Sequence, residues 1–209
     1  MDARRLGLLL ALCLAAACGK TSLDKRLLRV ATQGDRKKVN ELIAKGAHVD
    51  AVDEDGWTPL LWAAAHGNEE TVIALLDAGA NPRSVTRREE QGPLTLAAKW
   101  NRVEVVQTLL RRGVRPDSRD NIGWSALMWA SLQGRTDVVS ALLDGGAAIN
   151  IVDSDANTPL ILAARRGRLD TVKVLLARGA RADARNVDGE TAKSLAQSND
   201  YPDVAALLP

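Results

Sequence analysis

The chain has 209 residues, 46% of them apolar, and its 28 basic and 26 acidic side chains leave a formal net charge of +2. That apolar content excludes a disordered chain, and the near balance of charge excludes the strong basic excess of a dedicated nucleic-acid binder. Phenylalanine is absent and tyrosine occurs once, and Ala and Leu dominate the apolar share, which suits closely stacked helices better than a β-sandwich built on Val, Ile, Thr and aromatics.

At the start of the chain, Arg4 and Arg5 precede an apolar run from Leu6 to Ala17, followed by Cys18 and Gly19. The run is shorter than the about 20 residues a bilayer span needs. Its basic start, apolar centre and small-residue exit are those of a secretory signal peptide. The stretch Leu14-Ala15-Ala16-Ala17-Cys18 resembles a bacterial lipobox, with Leu14 one place further from the cysteine than usual. Residues 1–17 are therefore expected to be a signal peptide and residues 18–21 a tether beginning at a lipidated Cys18. Gly19 beside it resembles lipoproteins of the outer membrane that face the periplasm; plain cleavage after Ala17, giving a soluble periplasmic or secreted chain, is the alternative. Cys13 would leave with the signal peptide, so the mature chain could form no internal disulfide.

From residue 22 onward the sequence repeats itself. Pro59, Pro93, Ala126, Pro159 and Ala192 follow one another at steps of 34, 33, 33 and 33 residues. Gly46, Gly79, Gly113, Gly146 and Gly179 recur in the same way, each preceded by paired aliphatics such as Leu75-Leu76 and Leu142-Leu143. Thr58 and Thr158 stand where a helix would start, with a hydroxyl for an unpaired first-turn amide. Pro59 and Pro159 follow at the first helical position, where a missing N–H costs nothing. Leu60, Ala63 and Ala64 then give a short helix one apolar face with small residues on it. The slot that ends this helix holds Gly34, Gly67, Asn101, Gly134, Gly167 and Asp200, residue types that enter the left-handed region most readily. A second helix carries Val72, Leu75 and Leu76 and stops at Gly79, and a turn such as Asp53–Gly56 leads to the next unit.

A unit of this length with the pattern TPL…A-A…G…V…LL…GA resembles the ankyrin repeat. The resemblance covers about residues 22–209, in units of about 22–52, 53–86, 87–119, 120–152, 153–185 and 186–209. It implies an all-α solenoid of about six helix–turn–helix units joined by short β-hairpin loops, with polar capping units at the ends; Arg29 and Lys193 occupy slots that are apolar inside the array. Two departures stand out. The His of the family's TPLH motif is replaced by Leu61, Thr95, Met128 and Ile161, so its inter-repeat hydrogen bond is expected to be lost. The third unit begins Arg87-Arg88-Glu89-Glu90-Gln91-Gly92-Pro93, lacks the Asp/Gly turn and follows one extra residue, which predicts an irregular finger.

The sequence carries no nucleophile-elbow or phosphate-loop pattern, and neither His48 nor His66 has a second ligand at metal spacing. A non-catalytic chain without metal or cofactor is expected. The clusters Arg36-Lys37-Lys38, Arg111-Arg112 and Arg165-Arg166 read as solvated helix faces and ends. Comparing one slot across units separates the tryptophans. Trp62 and Trp129 share theirs with Leu96, Leu162 and Leu195 and are expected in the core. Trp57 and Trp124 share theirs with Gln91, Asn157 and Glu190, and Trp100 shares its slot with Gln33, His66, Gln133, Arg166 and Asn199; both slots are expected to be exposed. Ile122 stands among Asp55, Glu89, Asp155 and Asp188, and Leu132 among Thr32, Ala65, Lys99, Arg165 and Ser198. The resemblance places these slots on the finger tips and concave helix face. The expected partner-binding residues are thus Trp57, Trp100, Ile122, Trp124, Leu132, Arg165 and Arg166, on a monomer that binds another protein and touches the membrane only through lipid on Cys18. A regulatory subunit of an enzyme and a cytosolic scaffold with an uncleaved leader are the rival readings.

Overall fold

The computed structural model describes residues 22–209; the expectations for residues 1–21, including the signal peptide and Cys18, lie outside the described residues. Twelve helices succeed one another: α1 (22–33), α2 (Arg36–Ala44), α3 (Pro59–His66), α4 (Glu69–Asp77), α5 (Pro93–Lys99), α6 (Val103–Arg111), α7 (Ala126–Gln133), α8 (Thr136–Asp144), α9 (Pro159–Arg165), α10 (Leu169–Ala177), α11 (Ala192–Ser198) and α12 (Pro202–Leu207). From α3 onward the odd-numbered helices pack in one row, and the even-numbered helices from α2 onward in a second. From α3 onward the two helices of each unit also pack on each other.

The repeated residues explain this order. Thr58, Ser125, Thr158 and Thr191 begin their helices in extended backbone, and each hydroxyl accepts the amide three residues on, at 3.2–3.4 Å. Each such cap contributes about 1 kcal/mol. Gly92 starts α5 without a capping side chain. At the other end of the first helices, Asn101 and Asp200 adopt positive φ just as Gly67 and Gly134 do, the conformation the sequence pattern predicts. In the first unit Asp35 caps α2, accepting from the Lys38 amide at 3.0 Å. Its side-chain bond with Lys38 holds that carboxyl below the usual range.

The core runs along the array as one strip. Leu60, Leu94, Leu127 and Leu160 from the first helices meet Val72, Leu75, Val105, Leu109, Val138, Leu142, Val172 and Leu175 from the second, all buried. Burial of each such leucine contributes about 1.5–3 kcal/mol. Ala63, Ala64, Ala97, Ala98, Ala163 and Ala164 are wholly buried and let the first helices approach closely. In the TPLH slot, Leu61, Met128 and Ile161 are also buried, so packing ties neighbouring units there.

Short hairpin loops join the units, as expected. Among the described residues each regular finger closes through a backbone bond such as Asp53 N to Trp57 O, and one isolated antiparallel bridge joins Arg119 and Ser125. In each regular finger a buried or half-buried acid or amide closes the turn on itself: Asp53 Oδ1 accepts the amides of Asp55 and Trp57, and Asp120, Asp153 and Asn186 repeat the arrangement. These self-contained turns leave few backbone groups for a continuous ladder, and neighbouring fingers share single bonds such as Arg87 N to Asp55 O. The third finger is irregular, as expected. Thr86 closes it by accepting the Gln91 amide on its hydroxyl. The extra residue lies between Thr86 and Glu90, and Glu90, with a φ of 52°, takes the left-handed slot that Gly56 and Gly123 hold in other fingers.

Candidate functional site

The face built from the first helices and the fingers carries all five tryptophans, and each is placed by its slot. Trp100 caps the C-terminus of α5 and is 53% exposed; Ile122, at the tip of the fourth finger, is 49% exposed. Both stand where the sequence places them, as apolar residues in polar, solvent-facing slots. Leu132, on α7, is half-buried, and its carbonyl accepts Arg168 Nε at 3.1 Å. Arg165 is half-buried and donates to Asn157 Oδ1 at 3.3 Å, while Arg166 is exposed at the end of α9.

Two slots differ from expectation. The position shared by Trp57 and Trp124 is not an exposed one: Gln91 and Asn157 in the same slot are only 2% and 3% exposed, and both tryptophans are half-buried. Trp57 stacks on Trp62 with ring centroids 4.3 Å apart and packs against Leu61, Ala65 and Leu96. Trp124 meets Trp129 at 4.9 Å, tilted by 57°. Nor are Trp62 and Trp129 fully core; both are half-buried. Their indole N–H groups explain this, since each needs a polar partner. Trp62 Nε1 donates to Asp53 Oδ2 at 2.8 Å, and Trp129 Nε1 donates to Asp120 Oδ2 at 2.7 Å.

Polarity in a slot thus reflects a buried partnership rather than exposure. Each finger carboxylate spends Oδ1 on its own turn and has Oδ2 left for a donor. Where the slot nine residues on holds Trp, the indole supplies it. In the fifth unit Leu162 stands there and cannot donate, and the Asn157 side-chain amide reaches Asp153 Oδ2 instead, at 3.1 Å. The pairing of Asp and Trp nine residues apart in two units was the signal available in the sequence. Lys99 was not singled out there, yet its Nζ lies 4.5 Å from the centroid of the Trp129 ring, a cation–π contact that ties the third unit to the fourth. Trp62 also faces His66, with centroids 5.7 Å apart.

The arrangement offers apolar surface, indole edges and a few fixed charges, with no nucleophile held by a base. Among the described residues no group of three or more His, Cys, Asp or Glu is placed to hold a metal ion, and no helix is long and apolar enough to cross a membrane. Three basic residues in the clusters are engaged in ion pairs, Arg112 with Asp77 at 2.8 Å, Arg111 with Glu69 at 3.5 Å and Lys38 with Asp35 at 2.7 Å.

Comparison with known proteins agrees with this architecture. The chain is 35% identical over 117 residues to platypus (Ornithorhynchus anatinus) "Ankyrin repeat, SAM and basic leucine zipper domain-containing protein 1", covering 53% of this chain and 24% of that protein. It is 39% identical over 114 residues to the Caenorhabditis elegans "E3 ubiquitin-protein ligase hecd-1", covering 54% of this chain and 4% of that one. Over 71 residues it is 41% identical to the human "DNA-binding protein RFXANK", 34% of this chain and 27% of the other. The chain therefore spans about a quarter or less of these relatives' lengths. A family model described as ankyrin repeats in three copies matches residues 9–85, 27–120, 75–153, 107–186 and 127–208. The chain belongs to the ankyrin-repeat family, whose repeats form protein-interaction modules.

Proposed function

We propose that this chain binds a protein partner across the face of its third and fourth units, with Trp100 and Ile122 as anchors, Trp57, Trp124 and Leu132 as the half-buried floor, and Arg165 and Arg166 at one flank. The observation that carries the reading is the exposure of Trp100 and Ile122, at 53% and 49%. Single exposed apolar residues need no explanation. These two sit on consecutive units, Trp100 at the end of α5 and Ile122 at the tip of the fourth finger, where half-buried Trp57 and Trp124 add indole surface, and exposed apolar patches mark interaction sites. Glu54, Asp55 and Glu89 towards one end and Arg165, Arg166 and Arg185 towards the other give the face a polarity that orients a partner and speeds encounter. A photo-crosslinking residue placed at Trp100 or at Ile122 should capture the same protein, and one at exposed Gln107 on the second helix of the third unit should not. Equal capture at all three positions would remove the reading.

The same proposal places the chain outside the cytoplasm. It rests on the basic, apolar and small-residue order of residues 4–18, which has the form of an export signal ending in a cysteine that lipid would anchor. Cys18→Ala is expected to move the protein from the membrane fraction to the soluble one or to block its processing. Unchanged fractionation would exclude the anchor.

A further inference from the structure

At the root of the fingers, the connector between the second and third units, the start of α5 and the connector between the third and fourth units enclose a cavity of about 250 Å³. It exists because this junction departs from the others in three ways. At the regular junctions an oxygen of one unit holds a backbone amide of the next: Asp50 Oδ1 accepts from Asn81 N at 3.0 Å, Asp117 Oδ1 from Ala148 N at 3.0 Å, and Asn150 Oδ1 from Arg181 N at 2.9 Å. In the cavity the corresponding slots hold Arg83 and Arg115. A cation thus stands where the acceptor belongs, and the Arg115 amide has no acceptor among the described residues.

The second departure is charge. Nearby arginines are engaged, Arg88 with Asp55, Arg112 with Asp77, and Arg119 with the carbonyls of Gly123 and Val152. Arg83 and Arg115 form no ion pair among the described residues, and Glu90, the one carboxylate on the lining, pairs with neither. The third is space. Gly92 stands where every other internal unit has a capping Thr or Ser, and a Cβ built on it would meet nothing nearer than Ser84 O at 3.8 Å. The lining also carries an apolar part, with Val85, Pro93, Val114 and Pro116. A small site with an apolar wall and a few convergent polar groups is the usual form of a ligand pocket.

We propose that this cavity binds a carboxylate carried on a short apolar chain, the carboxylate lying between Arg83 and the Arg115 amide, where the other junctions place an oxygen of Asp50, Asp117 or Asn150. Guanidinium groups recognise carboxylates through paired N–H donors, and the apolar wall takes the attached chain. A free organic acid and the last residue of a peptide share this chemistry.

The test uses the full chain, labelled with ¹⁵N, and follows the Arg115 amide resonance during titration with 4-methylpentanoate and with acetyl-Val-Leu bearing a free carboxyl terminus. Saturable binding of either probe is expected, and the stronger one identifies the source as free acid or chain end. Arg83→Asp restores the acceptor of the other junctions, so it should weaken binding at least tenfold while the melting temperature stays at or above that of the unaltered protein. Gly92→Thr fills the cavity and adds a helix cap; it should also weaken binding tenfold or more. The proposal is overturned if neither probe binds, if both variants bind as the unaltered protein does, or if 4-methylpentanamide or inorganic phosphate binds as tightly as the acid.

Discussion

Asp120 offers the sharpest test of how the tryptophan face is held. Its carboxylate is 6% exposed and accepts four donors: the amides of Ile122 and Trp124 at 3.2 and 2.8 Å, Trp129 Nε1 at 2.7 Å, and Gln91 Nε2 at 3.5 Å. A hydrogen bond to a charged group contributes about 1.5–3 kcal/mol, and a buried donor left unpaired costs about 1–3 kcal/mol. Two of the four bonds are short, one is ordinary and one is at the limit of reach. Trp124 and Trp129 are only half-buried, so water can take up part of the loss. Asp120→Ala is therefore expected to cost about 3 kcal/mol. Asp120→Asn keeps an oxygen for the finger amides but turns an N–H₂ towards the Trp129 indole, or the reverse, and should cost about 1.5 kcal/mol, roughly the worth of one lost bond. Urea unfolding followed by far-ultraviolet circular dichroism measures both, with exposed Asp55→Ala as a control expected within about 0.5 kcal/mol of the unaltered protein. If Asp120→Ala lost less than about 1 kcal/mol, or Asp120→Asn matched the unaltered protein, the carboxylate would not be the support of this face.

Trp57→Ala should destabilise the fold by about 2 kcal/mol in the same assay, because the ring both packs on Leu61 and stacks on Trp62. Ser131 occupies a slot held by alanine in four other units, and its buried hydroxyl has no partner among the described residues; Ser131→Ala should raise stability by about 1 kcal/mol. Ala156 holds a φ of 59° where three other fingers have glycine, so Ala156→Gly should raise stability by roughly 1 kcal/mol, and a fall in the urea midpoint would contradict the strain.

The helices and their ends were legible in the sequence because each is set by local chemistry. Threonine before proline, alanines at helical spacing, and Gly, Asn or Asp at the turn all act within a few residues, and Asn101 and Asp200 adopt the left-handed backbone their slot implies. Exposure within the candidate site was legible where a slot's polarity comes from solvent, as for Trp100 and Ile122. It was misread at Trp57 and Trp124, because Gln91 and Asn157 are polar for a different reason: they serve buried carboxylates on the fingers. Lys99 was missed because its partner, the Trp129 ring, lies in the next unit. The cavity with Arg83 and Arg115 was equally hidden, since a missing acceptor shows only when neighbouring junctions are compared in space.

The central claim is that the tryptophan face of the third and fourth units binds a protein. Its most direct test pairs two readings on the double substitution Trp100→Ala and Ile122→Ser, using the partner captured at those positions. The dissociation constant should rise about 100-fold, the effect of losing roughly 2.7 kcal/mol from exposed anchors, while the urea midpoint stays within error of the unaltered protein. A dissociation constant within threefold of the original, with the fold intact, would contradict it.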